Sequence, residues 1–288
     1  MPTLVLSGGG AMGALQVGVL RELFRSGFRP GRIIGTSVGA LNGAFLAFYP
    51  DEEGVERLAE IWRSLEHERF LRFNPVRLAY RLASRQLNLF DSAFLYRLVK
   101  EYAVEDDFAA AKVPLYVVAT NLKTGRKQVL SEGRVSDAVL ASTAIPGVFS
   151  PVRVDGHSFI DGGVVANLDL DTAVDLGARE ILAIDLSHCF QVPEPSNVIG
   201  VITRTVDIVM RDRVQRDMLA LGRRARITLV QPEIEQGPGV GDFRFVTQLL
   251  DQGESFARRL AHQVLDARGR LRPGVVAGPV AVPSSGLI

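Results

Sequence analysis

Cysteine is almost missing from this chain: Cys189 is the single one among 288 residues. One thiol cannot close an intramolecular disulfide and rules out a cysteine-built zinc site, which suits a reducing compartment. Charge of one sign is missing as well, because 33 basic side chains meet 32 acidic ones and leave a formal +1. Nothing in that balance would draw nucleic acid. Long apolar runs are also lacking. The best, Val38–Tyr49, spans 12 residues, contains Asn42 and stops at Pro50, against the ~20 needed to cross a bilayer. At the amino end only Leu4-Val5-Leu6 precede Ser7 and three glycines, neither the basic flank nor the apolar core of a secretory leader. These absences predict a cytoplasmic protein whose contact with a membrane is peripheral and transient.

What the chain does have is length for a sizeable core, 47% hydrophobic residues and 28 glycines that are not evenly spread. Thr3–Ser7 reads as a strand, Gly8-Gly9-Gly10 breaks it, and an apolar 3.6-residue stripe follows to Ser26-Gly27. A second strand, Arg32–Ile34, runs through Gly35–Gly39 into an apolar helix, Ala40–Phe48. Two strand-loop-helix units in under fifty residues predict an α/β fold with a parallel sheet. Helices are expected at Val55–Leu65, Val76–Arg85 and Ser92–Tyr102. Strands are expected at Leu115–Thr120 and Lys127–Leu130, with a helix over Ser136–Ser142. Val152–Val154 and His157–Ile160 flank Asp155-Gly156, the strongest hairpin signal in the chain. Beyond a helix near Thr172–Leu176, strands Glu180–Asp185 and Ile227–Val230 are interleaved with helical stretches at Val198–Leu221 and Phe245–Ala267. One domain covers residues 1–288, with its motifs within about 4–176 and a helical part over about 177–272. The Gly/Pro/Ser-rich end, 273–288, reads as a mobile tail.

Three glycine-containing motifs carry the chemistry. Gly35-Thr36-Ser37-Val38-Gly39 fits the Gly-x-Ser-x-Gly elbow, where a sharp strand-to-helix turn presents a serine hydroxyl; side chains at either glycine would collide as the chain doubles back. Gly8-Gly9-Gly10-Ala11-Met12-Gly13 fits Gly-x-Gly-x-x-Gly. That pattern marks a dinucleotide site when an acidic residue ends the second strand, and here the elbow stands in that place. Consecutive amides at a helix start also form an anion nest suited to an oxyanion. A serine needs a base, and His67, His157, His188 and His262 each read as surface or structural residues outside any triad-like cluster. Asp161, at a strand end before Gly162 and Gly163, is better placed, because a carboxylate within ~2.6–3.2 Å accepts a hydroxyl proton directly.

In this order, Gly8–Gly13, Gly35–Gly39 and Asp161–Gly163 resemble the patatin-like phospholipase family. Further blocks look similar: Leu89-Phe90-Asp91-Ser92, Ala119-Thr120-Asn121, Ala141-Ser142 through Ile145-Pro146 to Pro151, and Leu176-Gly177-Ala178. The similarity is good from about Val5 to Asp185 and loose beyond. The resemblance implies a three-layer α/β/α sandwich around a mostly parallel sheet, and a lipid acyl hydrolase that needs no cofactor and no active-site metal. It implies Ser37 as nucleophile, Asp161 as base, the amides of Gly8, Gly9 and Gly10 as oxyanion hole, and a fatty-acyl ester as partner. Two departures stand out: Met12 where many members carry Arg or Lys, and Asn167-Leu168-Asp169 where many have a proline. Three alternatives stay open at this point: a non-catalytic lipid-binding or regulatory relative, a transacylase, and a dinucleotide-binding protein.

Overall fold

The computed structural model describes residues 1–66, 99, 106–187, 198–234, 242–266 and 270–279. In chain order, the strands among them are β1 (Thr3–Leu6), β2 (Arg32–Thr36), β3 (Leu115–Asn121), β4 (Arg126–Leu130), β5 (Val152–Val154), β6 (His157–Asp161), β7 (Glu180–Ile184), β8 (Arg226–Glu233) and β9 (Gly274–Pro279). The helices are α1 (Gly13–Arg25), α2 (Val38–Phe48), α3 (Glu52–Leu65), α4 (Val135–Ser142), α5 (Gly163–Ala166), α6 (Leu170–Asp175), α7 (Val198–Leu221) and α8 (Val246–Val264).

One sheet holds all nine strands, in the order β5-β6-β3-β2-β1-β7-β8-β9, with β4 paired to β3. From β3 to β9 every pairing is parallel, whereas β4 and β6 lie antiparallel to β3. The central strands are buried on both faces, which explains why β1 reads as an unbroken apolar run. Leu4 and Leu6 enter the core beneath α1, α2, α3, α4 and α8, while Val5 enters the opposite core with residues of α5, α6 and α7. Two helical layers with a sheet between them make the three-layer α/β/α sandwich expected from the sequence. α2 is buried along its whole length, as a helix apolar on every face but for Asn42 must be. α3 shows the ordinary start signals: Asp51 caps it by accepting the Gly54 amide, and Glu52 and Glu53 fill its first turn. Its stripe of Val55, Leu58, Ala59, Trp62 and Leu65 faces inward.

The edge of β3 is shared. β2 pairs with it up to Thr36 opposite Val118, and β6 takes over with Asp161 opposite Ala119, while β4 occupies the other edge. β2 therefore leaves the sheet where β6 enters it.

The expected mobile tail is corrected in part. Gly274–Pro279 pairs with β8 as the edge strand β9, because Val275-Val276 is a β-forming pair and β8 offers a free parallel edge. Residues 280–288 lie outside the described residues. So do the helix expected at Val76–Arg85 and that at Ser92–Tyr102 apart from Val99, which is helical and buried. α5, between the two glycines and Asn167, has too little apolar periodicity to be read from sequence.

Candidate active site

The elbow forms because β2 and α2 double back on one another at Ser37. A Cβ on Gly35 would sit 2.4 Å from the Gly39 carbonyl oxygen, and one on Gly39 would sit 2.4 Å from the Leu6 carbonyl oxygen. No side chain fits at either position. Ser37 itself adopts φ 54° and ψ −124°, a region that residues with a side chain enter only when the surroundings compel it. The compulsion is visible. The Ser37 carbonyl accepts the amides of Ala40 and Leu41, its own amide donates to Ser142 Oγ at 2.8 Å, and Thr36 Oγ1 donates to the Ala166 carbonyl at 3.0 Å.

From this turn the Ser37 hydroxyl reaches Asp161 Oδ2 at 2.6 Å. The other carboxylate oxygen, Oδ1, accepts the Gly163 amide at 2.7 Å. The Asp161 backbone is tied down too: its amide donates to the Ala144 carbonyl at 2.9 Å, and its carbonyl accepts Thr120 Oγ1 at 3.0 Å. Both side chains are buried, Ser37 at 7% and Asp161 at 6% exposure. Burial drives the Asp161 carboxyl up to about 6, against the Ser37 and Gly163 hydrogen bonds, which favour the carboxylate and pull it down. A carboxyl poised near neutrality and bonded to a strained serine hydroxyl is equipped to exchange a proton with it.

The glycine loop lies against this pair. A Cβ on Gly8 would meet Ser37 Cβ at 3.0 Å and Asn167 Oδ1 at 2.6 Å. The Gly8 amide, however, donates to the Asn167 carbonyl at 3.2 Å, so it is already engaged. Gly10 has φ 58° and opens a turn of 3-10 helix, Gly10–Met12, that leads into α1. Gly13 presents its carbonyl to Asn42 Nδ2, and Gly162 lies against the Val118 carbonyl, 2.1 Å from where a Cβ would be. Met12 is buried at 2% exposure and places no charge at the loop.

Neither of the two described histidines hydrogen-bonds to Ser37 or Asp161. His157 opens β6 in a T-shaped ring contact with Phe159, and His262 lies in the last turn of α8; His67 and His188 lie outside the described residues.

Several supporting residues have a role that the sequence does not assign. Ser142, at the end of α4, bridges Ser37 and the Val118 carbonyl. Asn42 joins three elements beneath the loop: it accepts Trp62 Nε1 at 2.9 Å and donates to Gln16 Oε1 at 3.0 Å and to the Gly13 carbonyl at 3.1 Å. Its one available signal was an amide inside an otherwise apolar helix. Asp169, where a proline was the family expectation, caps α6 by accepting the Thr172 amide and holds Lys127 Nζ at 2.8 Å. Proline could supply neither bond.

A family model described as Patatin-like phospholipase matches residues 4–174. Among curated proteins, patatin-like phospholipase domain-containing protein 7 of Rattus norvegicus is 31% identical over 185 residues, covering 64% of this chain and 13% of that protein. Lysophospholipase NTE1 of Mycosarcoma maydis is 27% identical over 191 residues, covering 64% of this chain and 9% of that protein. The chain thus spans about an eighth or less of the length of these relatives. Among solved structures, VipD from Legionella pneumophila aligns with a TM-score of 0.47 at 15% identity, over 90% of this chain and 66% of that one.

Proposed function

This chain belongs to the patatin-like phospholipase family, and from that premise we propose that it hydrolyses carboxylic esters of lipids through an acyl-serine intermediate. The observation that carries the reading is the 2.6 Å bond between a strained, buried Ser37 hydroxyl and a buried Asp161 carboxyl. Asp161 Oδ2 takes the hydroxyl proton as Ser37 Oγ attacks the ester carbonyl. The same proton then passes to the departing alkoxide, leaving the acyl group on Ser37. In the second half, water gives a proton to Asp161, its oxygen attacks the acyl carbon, and the proton returns to Ser37 as the fatty acid departs.

The oxyanion formed in each half falls to the glycine loop. With the Gly8 amide held by Asn167, the donors are those of Gly9 and Gly10, which donate to no group among the described residues. Gly8 contributes by its bareness, since any side chain there would press on Ser37. Ser37 also opens α2, whose positive end favours negative charge beside it. Losing one such donor typically costs ~10²–10³ in rate. With a buried Met12 the loop adds no cation for an anionic head group, so the selectivity we propose is for the acyl ester rather than for head-group charge. No helix among the described residues is long and apolar enough to cross a membrane. We place substrate capture at the lipid surface by transient contact.

Turnover of phospholipid and lysophospholipid by wild-type and Ser37→Ala protein, with products identified by mass spectrometry, tests this. Release of fatty acid by the wild type alone is expected, together with fluorophosphonate mass on Ser37. A label elsewhere, or equal turnover by the two proteins, overturns it.

A further inference from the structure

We propose that Ser142 is a positioning residue for both members of the pair, its hydroxyl standing in for the backbone rung that is lost where β2 leaves β3. This rests on Ser37 and Asp161 acting as nucleophile and base. Ser142 is the last residue of α4 and is fully buried. Its Oγ accepts the Ser37 amide at 2.8 Å and donates to the Val118 carbonyl at 2.6 Å. The β2–β3 pairing ends with Thr36 opposite Val118, so the hydroxyl is spliced into the ladder one residue after the last regular pair. Its carbonyl accepts the Gly162 amide at 3.3 Å, and that of Ala144 accepts the Asp161 amide at 2.9 Å. One short stretch of chain therefore grips the nucleophile's backbone through a side chain and the base's backbone through two carbonyls.

The grip matters because of the conformation it maintains. With φ at 54°, Ser37 is held where relaxation would carry its hydroxyl away from Asp161. Remove the Ser142 hydroxyl and two buried backbone groups, the Ser37 amide and the Val118 carbonyl, lose this hydrogen bond together. The accessible remedy is a rotation of the Ser37 peptide, which spoils the 2.6 Å bond. A hydroxyl that merely satisfies the core would not have this effect, and the same turn supplies one for comparison. Thr143 is buried, and its hydroxyl donates back to the Val139 carbonyl at 2.7 Å and the Leu140 carbonyl at 3.3 Å, with no hydrogen bond to Ser37 or Asp161.

Wild-type, Ser142→Ala and Thr143→Ala proteins are to be compared by two readouts: the rate of fluorophosphonate labelling at Ser37, and the titration of the Asp161 carboxyl carbon by NMR. Ser142→Ala is expected to slow labelling ~10–100-fold, the usual cost of an ångström-scale misplacement. It should also raise the Asp161 titration point, because the serine bond that pulls it down against burial is weakened. Thr143→Ala should leave both within about threefold, since its hydroxyl acts only within its own helix. An unchanged Asp161 titration in Ser142→Ala, or equal effects of the two substitutions, overturns the proposal. If Ser142→Ala does not fold, Ser142→Thr, which keeps Oγ, is read against Ser142→Cys. Faster labelling and a lower Asp161 titration point in the threonine variant are expected, and equality overturns the role. A wild type that takes no label at Ser37 counts against the serine–aspartate reading, while the Asp161 titration still decides the part played by Ser142.

Discussion

Asp161 pairs with Ala119 on the edge of β3, one residue beyond Val118, the last partner of β2. A parallel strand ending in an elbow and an antiparallel strand ending in a carboxylate are thereby brought tip to tip. The 2.6 Å contact between Ser37 and Asp161 is a product of that strand exchange.

The Asp161 carboxyl, driven up to about 6 chiefly by burial, must be ionised to accept a proton. Ester turnover measured as kcat/KM is therefore expected to rise about tenfold per pH unit below ~6 and to flatten above it. A profile flat from pH 5 to pH 8 would remove Asp161 from the role of base.

The same shift bears on stability. A carboxyl whose folded value lies above its unfolded one binds more protons in the folded state, so stability is lost as pH rises between about 4 and about 6. Asp161→Asn removes that loss. It should abolish turnover yet melt above the wild type at pH 8, by ~3 kcal/mol at most, with the gap closing as pH falls toward 4. Equal or lower melting at pH 8 contradicts the expectation.

Asn42→Ala should be costly because three buried partners, Trp62 Nε1, Gln16 Oε1 and the Gly13 carbonyl, lose their hydrogen bonds at once. A loss of ~3 kcal/mol by denaturant unfolding is expected. Gly13 begins the helix that follows the glycine loop, so fluorophosphonate labelling of Ser37 should slow as well.

Lys127 bonds Asp169 and Asp171, both at 2.8 Å, and Asp169 is fully buried. Burial above all, and then the neighbouring Asp171, push the Asp169 carboxyl upward, while Lys127 opposes the rise. Lys127→Met leaves that carboxyl without its cation and should cost ~3 kcal/mol. Adding Asp169→Asn should recover part of the loss, a coupling of ~1 kcal/mol or more in a double-mutant cycle. Additive effects would mean that the lysine and the aspartate act independently.

The sequence by itself determined most of the elements and which residues could carry chemistry. Short apolar runs stopped by glycine marked the buried strands, and a 3.6-residue stripe marked the first helix. Glycines at Gly35 and Gly39 marked a turn that no side chain permits, and Asp155-Gly156 marked a hairpin. The three motifs are local: Ser37 and Asp161 stand out as candidates from their neighbours, and their roles come from the family resemblance. What only the tertiary structure decided was every relation across the sheet. Ser142 becomes meaningful when β2 departs after Thr36 and its hydroxyl takes up the Val118 carbonyl and the Ser37 amide, and nothing within its own helix signals that. The Gly8 amide looks available until the Asn167 carbonyl, 159 residues away, is found to hold it. The terminal Gly-Val-Val segment reads as a loose tail until β8 offers it an edge. Local sequence sets which groups a residue carries and which backbone angles it tolerates. Hydrogen-bond partners between distant segments are set by sheet order and register, and these are chosen by the packing of two cores at once.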